Sequence, residues 1–146
     1  MDRQNLTLLT DLYELTMLQG YFRHKVHNET AIFDMFYRTN PCNGGYAVMA
    51  GLAQLIQYIE NLHFSPADIA YLRGLGIFAE DFLSYLQGFQ FSGDIYAIPE
   101  GEVVFPREPL IKVVAPIIAI ATDTGSQVPK RAIRFFALTA PAVLIR

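Results

Sequence analysis

Apolar residues return at steps of three and four near the start of the chain. Leu8, Leu12, Leu15, Leu18 and Phe22 form one stripe of a helix predicted over about residues 10–22. Thr10 and Asp11 stand at its opening, where a short polar side chain accepts from orphan N–H groups and a negative charge meets the positive end of the dipole. Arg23, His24 and Lys25 close it with the opposite charge. The period then changes. Ala31, Phe33, Met35 and Tyr37 alternate with Ile32, Asp34 and Phe36, which predicts a strand over 30–37. Both of its faces are mostly apolar, so a central or doubly covered position is expected. Asn40-Pro41 and Asn43-Gly44-Gly45 mark the loop that follows.

Val48, Leu52, Leu55, Ile56, Ile59 and Leu62 predict a second helix over 46–62, with Gly51 inside it at a close backbone approach. Ser65-Pro66-Ala67-Asp68 opens a third helix, since serine suits the cap and proline the first helical position. Residues 80–86 form a fourth, closed near Gly88. From Phe91 onward three short β runs, 94–98, 102–105 and 110–114, are separated by Pro/Gly turns. They predict a meander or a partly open barrel. The class is α+β, with helices packed on a mostly antiparallel sheet or open β-barrel.

Composition narrows the function classes. A length of 146 residues suits one domain or part of a larger one. The chain is 52% hydrophobic and 17% charged, against a usual charged share of about 25%. Two readings stay open: a rich core, or apolar surface meant for a partner. Net charge is -3 and the first 118 residues hold no basic block, which argues against nucleic-acid and membrane-surface binding. No apolar run reaches the roughly 20 residues that span a bilayer. The polar start, Met1-Asp2-Arg3-Gln4-Asn5, is not followed by a signal-type segment. Cys42 is the only cysteine, which excludes an internal disulfide and a cysteine-based metal site. A reducing cytoplasm fits these features.

Asp11 and Tyr13 carry the first candidate chemistry. Two residues apart on a helix, they point to different sides of one turn, and the leucines already supply the core stripe. A carboxylate and a phenol there suit a flat, polar-edged ligand, although an ordinary half-buried tyrosine and a dipole-stabilising acid would look the same. Arg38 follows the first strand and opens a turn, where a guanidinium can grip a phosphate or carboxylate; a solvated loop arginine is the plain alternative. Gly44-Gly45 before a helix would offer bare N–H groups to an anion, but no phosphate-loop pattern accompanies them and a turn is the simpler reading. His24, His27 and His63 lack metal-ligand spacing. Asp94, Glu100 and Glu102 read as a solvated face, and Cys42 lacks a base partner.

The segment Leu8-Leu9-Thr10-Asp11-Leu12-Tyr13-Glu14-Leu15-Thr16-Met17 resembles the N-terminal signature of nicotinate phosphoribosyltransferase. Phe36-Tyr37-Arg38-Thr39-Asn40-Pro41, Gly44-Gly45-Tyr46-Ala47-Val48-Met49-Ala50-Gly51-Leu52 and the run 93–106 follow in that family's order. Four ordered blocks make the resemblance specific. It implies the N-terminal domain of a type II phosphoribosyltransferase over 1–118, without the α/β barrel that carries most of the site. It implies an ATP-coupled, Mg²⁺-dependent reaction of nicotinate with phosphoribosyl pyrophosphate in NAD salvage, and a cytoplasmic homodimer. The tyrosine at position 13 would stack on the pyridine ring from a neighbouring subunit, with Asp11 near its edge.

The resemblance stops near Ile118. Residues 119–146 hold Lys130, Arg131, Arg134 and Arg146 against one acid, Asp123, and no clear period. They are expected to be a divergent tail, partly disordered, replaced or frame-shifted on a truncated gene; absence of the barrel from every downstream reading frame would sink the frame-shift idea. On that reading the fragment alone is inactive. The rivals are a non-catalytic dimerisation or interaction module and a nicotinamide- or quinolinate-specific relative.

Overall fold

The computed structural model describes residues 7, 8, 10–40 and 44–119. Leu9, Pro41, Cys42, Asn43 and the tail beyond Ala119 lie outside the described residues, and so do the expectations that fall on them. Nine elements follow in chain order: α1 (Leu12–Arg23), β1 (Thr30–Met35), β2 (Ala47–Val48), α2 (Leu52–Glu60), α3 (Pro66–Gly74), α4 (Glu80–Gln87), β3 (Asp94–Ala97), β4 (Val103–Val104) and β5 (Ile111–Pro116). The α+β class and the antiparallel pairing hold, and no closed barrel forms among the described residues.

The sheet is not a meander. β5 lies in the middle of a three-stranded sheet ordered β1-β5-β3, while β4 leaves it to pair with β2. Ile111, Val113 and Ala115 of β5 face the core. Their cross-strand partners on the same face are Met35, Phe33 and Ala31 of β1. β1 is thus an edge among the described strands, not the central strand its two apolar faces suggested. Ile32, on the outer face, is 63% exposed, and the partner of Asp34 is Lys112 of β5, 4.0 Å away.

The helix expected over 46–62 is two elements. Residues 47–48 pair with β4, and Gly51 stands at the N-cap of α2 with φ 89°. That left-handed turn is cheap for glycine and costly for most residues, so the helix starts after it. Val48 matched the helical stripe by spacing but belongs to a strand. Gly93, before β3, marks a close backbone approach: a Cβ there would sit 2.4 Å from the Ala115 Cβ and 2.8 Å from the Val114 carbonyl oxygen.

α3 and α4 form the best-satisfied part of the fold. The Ser65 hydroxyl accepts from the Asp68 N–H at 3.2 Å, and the Asp68 carboxylate accepts from the Ser65 N–H at 2.8 Å. This reciprocal box satisfies two orphan donors. Phe82, Leu83 and Leu86 of α4 are fully buried with Leu18 of α1 and Leu72 of α3. Phe22, Phe82 and Tyr85 pack with ring centroids 5.7 and 5.1 Å from Phe22, and burial raises the Tyr85 phenol above its ordinary 10.0. Gln19, buried on α1, ties the helices together. Its amide donates to the Ile77 carbonyl at 3.1 Å and its oxygen accepts from the Ala79 N–H at 2.7 Å.

Candidate functional site

The chain enters α1 over a pinned approach. The buried Thr7 hydroxyl donates to the His63 carbonyl at 2.8 Å, fixing this segment to the α2–α3 connection. Asp11 is the N-cap, with extended backbone at φ -75° and ψ 142°, and its carbonyl accepts from the Glu14 N–H at 3.0 Å. Its side chain makes no cap bond to the helix. The Asp11–Glu14 spacing is that of a capping box, but the box does not close. Glu14 accepts from the Thr10 hydroxyl instead. That carboxylate is only 2% exposed, and its Oε1 has no hydrogen-bond partner among the described residues. Glu14 was not among the candidates read from sequence, and its spacing from Thr10 and Asp11 was the available signal.

This arrangement decides which side chains α1 offers outward. Leu15 and Leu18 turn inward with Glu14 and Gln19. Leu12, expected in the core stripe, is instead half-exposed, because the buried face is shifted toward Glu14 and Gln19. Tyr13 is 54% exposed, with Met17 exposed one turn along. The Thr16 hydroxyl donates to the Tyr13 carbonyl at 2.8 Å, which fixes backbone rather than ring. The opening turn therefore presents a phenol ring whose packing duty is slight, beside a partly exposed carboxylate.

Arg38 stands on a different element, exposed in the connection after β1 and without an ion pair among the described residues. Its neighbour Tyr37 is firmly held. The Tyr37 carbonyl accepts from the Arg107 N–H at 2.8 Å. The Tyr37 hydroxyl lies 2.8 Å from the Val104 carbonyl and 3.0 Å from Asn40 Oδ1, two acceptors for its one proton. Burial first, and the nearby Glu108 carboxylate second, raise this phenol above 10.0, so it remains a donor. Asp11 and Tyr13 thus share one helical turn, and Arg38 is a separate cation on a braced strand end.

The other sequence candidates fare differently. Gly44-Gly45 precede β2 rather than a helix. The N-terminus of α2 is met from within, by Glu100, whose carboxylate accepts from the Ala53 N–H at 3.2 Å. Among the described residues no group of three or more His, Cys, Asp or Glu could hold a metal ion. An open cavity of about 450 Å³ lies between α2 and β3, lined by Leu52, Ile56, Ile59, Glu60, Gly93, Ile95 and Ala97. Its walls are apolar with one carboxylate, and none of Asp11, Tyr13 or Arg38 reaches it. No helix of the described residues is long and apolar enough to cross a membrane.

Residues 8–122 match the family described as the nicotinate phosphoribosyltransferase N-terminal domain. The chain is 46% identical over 111 residues to a nicotinate phosphoribosyltransferase of Mycobacterium tuberculosis, covering 76% of this chain and 24% of that protein. It is 44% identical over 114 residues to the Bacillus subtilis nicotinate phosphoribosyltransferase, covering 78% and 23%. The solved human nicotinic acid phosphoribosyltransferase superposes with a TM-score of 0.71 at 29% identity, over 77% of this chain and 23% of that one. A Vibrio cholerae nicotinate phosphoribosyltransferase shares the fold, with a TM-score of 0.64 at 16% identity. The chain spans about a quarter of the length of the curated relatives it matches.

Proposed function

The chain belongs to the nicotinate phosphoribosyltransferase family, as its N-terminal domain, and we propose that it serves that reaction by lending Tyr13 and Asp11 to a nicotinate site completed by a barrel domain. The reaction joins nicotinate to phosphoribosyl pyrophosphate, coupled to ATP hydrolysis, in NAD salvage. The pyridine nitrogen forms a bond to the anomeric carbon as the bond from that carbon to pyrophosphate breaks.

Two things this chain offers suit that step. A tyrosine face against the pyridine favours offset stacking, worth about 0.5–1.5 kcal/mol beyond area. As the new bond forms, the pyridine becomes a pyridinium cation, and the negative face of an aromatic ring attracts a cation more than a neutral ring. Stacking by Tyr13 therefore strengthens toward the transition state, which is the kind of interaction that raises rate. Asp11 near the ring or ribose edge would favour the same developing positive charge. Arg38 would hold a phosphate or carboxylate bidentately. Mg²⁺, when bound, would supply charge neutralisation for the departing pyrophosphate. The reading places the protein in the cytoplasm, in a homodimer whose Tyr13 reaches a neighbouring subunit's substrate.

The observation that carries this is the exposed Tyr13 ring on an opening turn whose packing is met by Leu15 and Leu18. Because the chain spans about a quarter of its relatives, it should not complete the site alone. Purified chain given nicotinate, phosphoribosyl pyrophosphate, ATP and Mg²⁺ should form no nicotinate mononucleotide. Detecting that product above a protein-free control would overturn the reading.

A further inference from the structure

Glu14 is the only buried acid among the described residues. It lies on the opening turn of α1, on the buried face it shares with Leu15 and Leu18. One of its oxygens accepts from the Thr10 hydroxyl. The other, Oε1, has no hydrogen-bond partner among the described residues. A buried oxygen left without a donor costs free energy, and an apolar side chain of like length avoids that cost. Stability alone therefore favours methionine or leucine here, as at positions 15 and 18. A residue that breaks a packing rule with no local compensation points to a functional demand.

What the carboxyl holds is the lead-in to the turn. Thr10 directly precedes the Asp11 N-cap, and Glu14 directly follows Tyr13. The Thr10–Glu14 side-chain bond encloses the turn that the Asp11 carbonyl and the Glu14 N–H close from the backbone at 3.0 Å. Upstream, the Thr7 hydroxyl on the His63 carbonyl is a second hold on the same segment. Tyr13 is half-exposed and the Asp11 side chain makes no cap bond to the helix, so the backbone of this turn sets where both face. We propose that Glu14 is a positioning residue: its buried carboxyl ties Thr10 to α1 and so fixes the direction in which Tyr13 and Asp11 meet their ligand. A loose turn would be ordered at the expense of binding energy, whereas a turn ordered in advance spares it. The inference rests on the reading that Tyr13 and Asp11 meet nicotinate, and it adds the group that holds them in place.

The full chain is tested first, by amide hydrogen exchange and thermal melting. Glu14→Met should speed exchange of the amide at position 14 by roughly tenfold and leave the α4 amides as in the parent. Its melting temperature should hold or rise, because the unmet oxygen is gone. Unchanged exchange at position 14 would overturn the proposal. Turnover is then read in a chimera joining residues 1–118 to the rest of the Bacillus subtilis relative. There kcat/KM for nicotinate should fall by roughly tenfold in Glu14→Met, and by a like amount in Thr10→Val, which keeps the shape and removes the donor. The double variant should be no worse than either alone, since both substitutions break one bond. Glu14→Gln keeps an acceptor for the Thr10 hydroxyl and should retain most of the parent's activity. A packing role alone does not lower activity at an undiminished melting temperature, nor is it restored by glutamine. Full activity in Glu14→Met, additive losses in the double variant, no rescue by glutamine, or a loss that merely follows a fallen melting temperature would overturn the proposal. Tyr13→Ala separates the two readings. If it lowers kcat/KM and Glu14→Met does not, this inference alone fails; if it leaves kcat/KM unchanged, the site reading fails and this one with it.

Discussion

The α3–α4 pair and the opening of α1 obey different rules. In the pair, the Ser65–Asp68 box closes at the start of α3, and Phe82, Leu83 and Leu86 of α4 are sealed. Arg73 holds Glu80 with two bonds of 2.7 and 3.0 Å. At the opening of α1 the cap box stays unclosed, one Glu14 oxygen has no partner among the described residues, and Leu12, Tyr13 and Met17 face outward. Scaffold regions satisfy every level of the rules at once, and exceptions gather where a surface meets something else.

Substitutions can break or sharpen this contrast. Phe82→Ala removes a fully buried ring and should cost about 3–5 kcal/mol, read as a lower urea midpoint. Tyr13→Ala, an aromatic truncation of like size, should stay within about 0.5 kcal/mol. Equal losses would erase the distinction between the regions. Gly93→Ala drives a methyl into the β5 backbone and should cost about 1–3 kcal/mol in the same measurement. Gln19→Ala strands the Ile77 carbonyl and the Ala79 N–H, so about 1–3 kcal/mol is expected; amide hydrogen exchange should locate the loosening between α3 and α4. Ser65→Ala opens the cap box for about 1 kcal/mol.

The smallest effect is acid-dependent. The hydrogen bond from Arg73 holds the Glu80 carboxyl below 4.5; desolvation opposes it, and the Arg73 charge adds a smaller lowering. A depressed folded value means the pair's contribution is complete above the unfolded value near 4.5 and disappears as pH falls through the folded value. Because both groups are fully exposed, the loss should be slight. Glu80→Gln should remove this slope below about pH 4.5, lowering stability slightly at neutral pH and not at all once the parent's carboxyl is protonated.

How much of this was legible in the chain follows the same division. α3 and α4 were plain from Ser65-Pro66-Ala67-Asp68 and the 80–86 stripe, since a cap and a stripe are local signals. The β runs were legible as strands, but not their pairing. Which strand sits beside which depends on long-range partners, so β5 took the centre and β1 an edge. Val48 fitted a helical stripe because one spacing serves two periods over a few residues, and Gly51 settled the matter only through its backbone angle. Asp11 and Tyr13 stood out by type and position. Glu14 did not, because its burial depends on how the chain before α1 is pinned through Thr7 and Thr10.

The most direct trial of the central claim uses the chimera of residues 1–118 with the rest of the Bacillus subtilis relative. It measures kcat/KM for nicotinate with tyrosine, phenylalanine and alanine at position 13. Tyr13→Phe should stay near the parent value, because the stacking face survives, and Tyr13→Ala should fall by roughly tenfold or more with its melting temperature unchanged. Alanine matching tyrosine in an active, folded chimera would contradict the account.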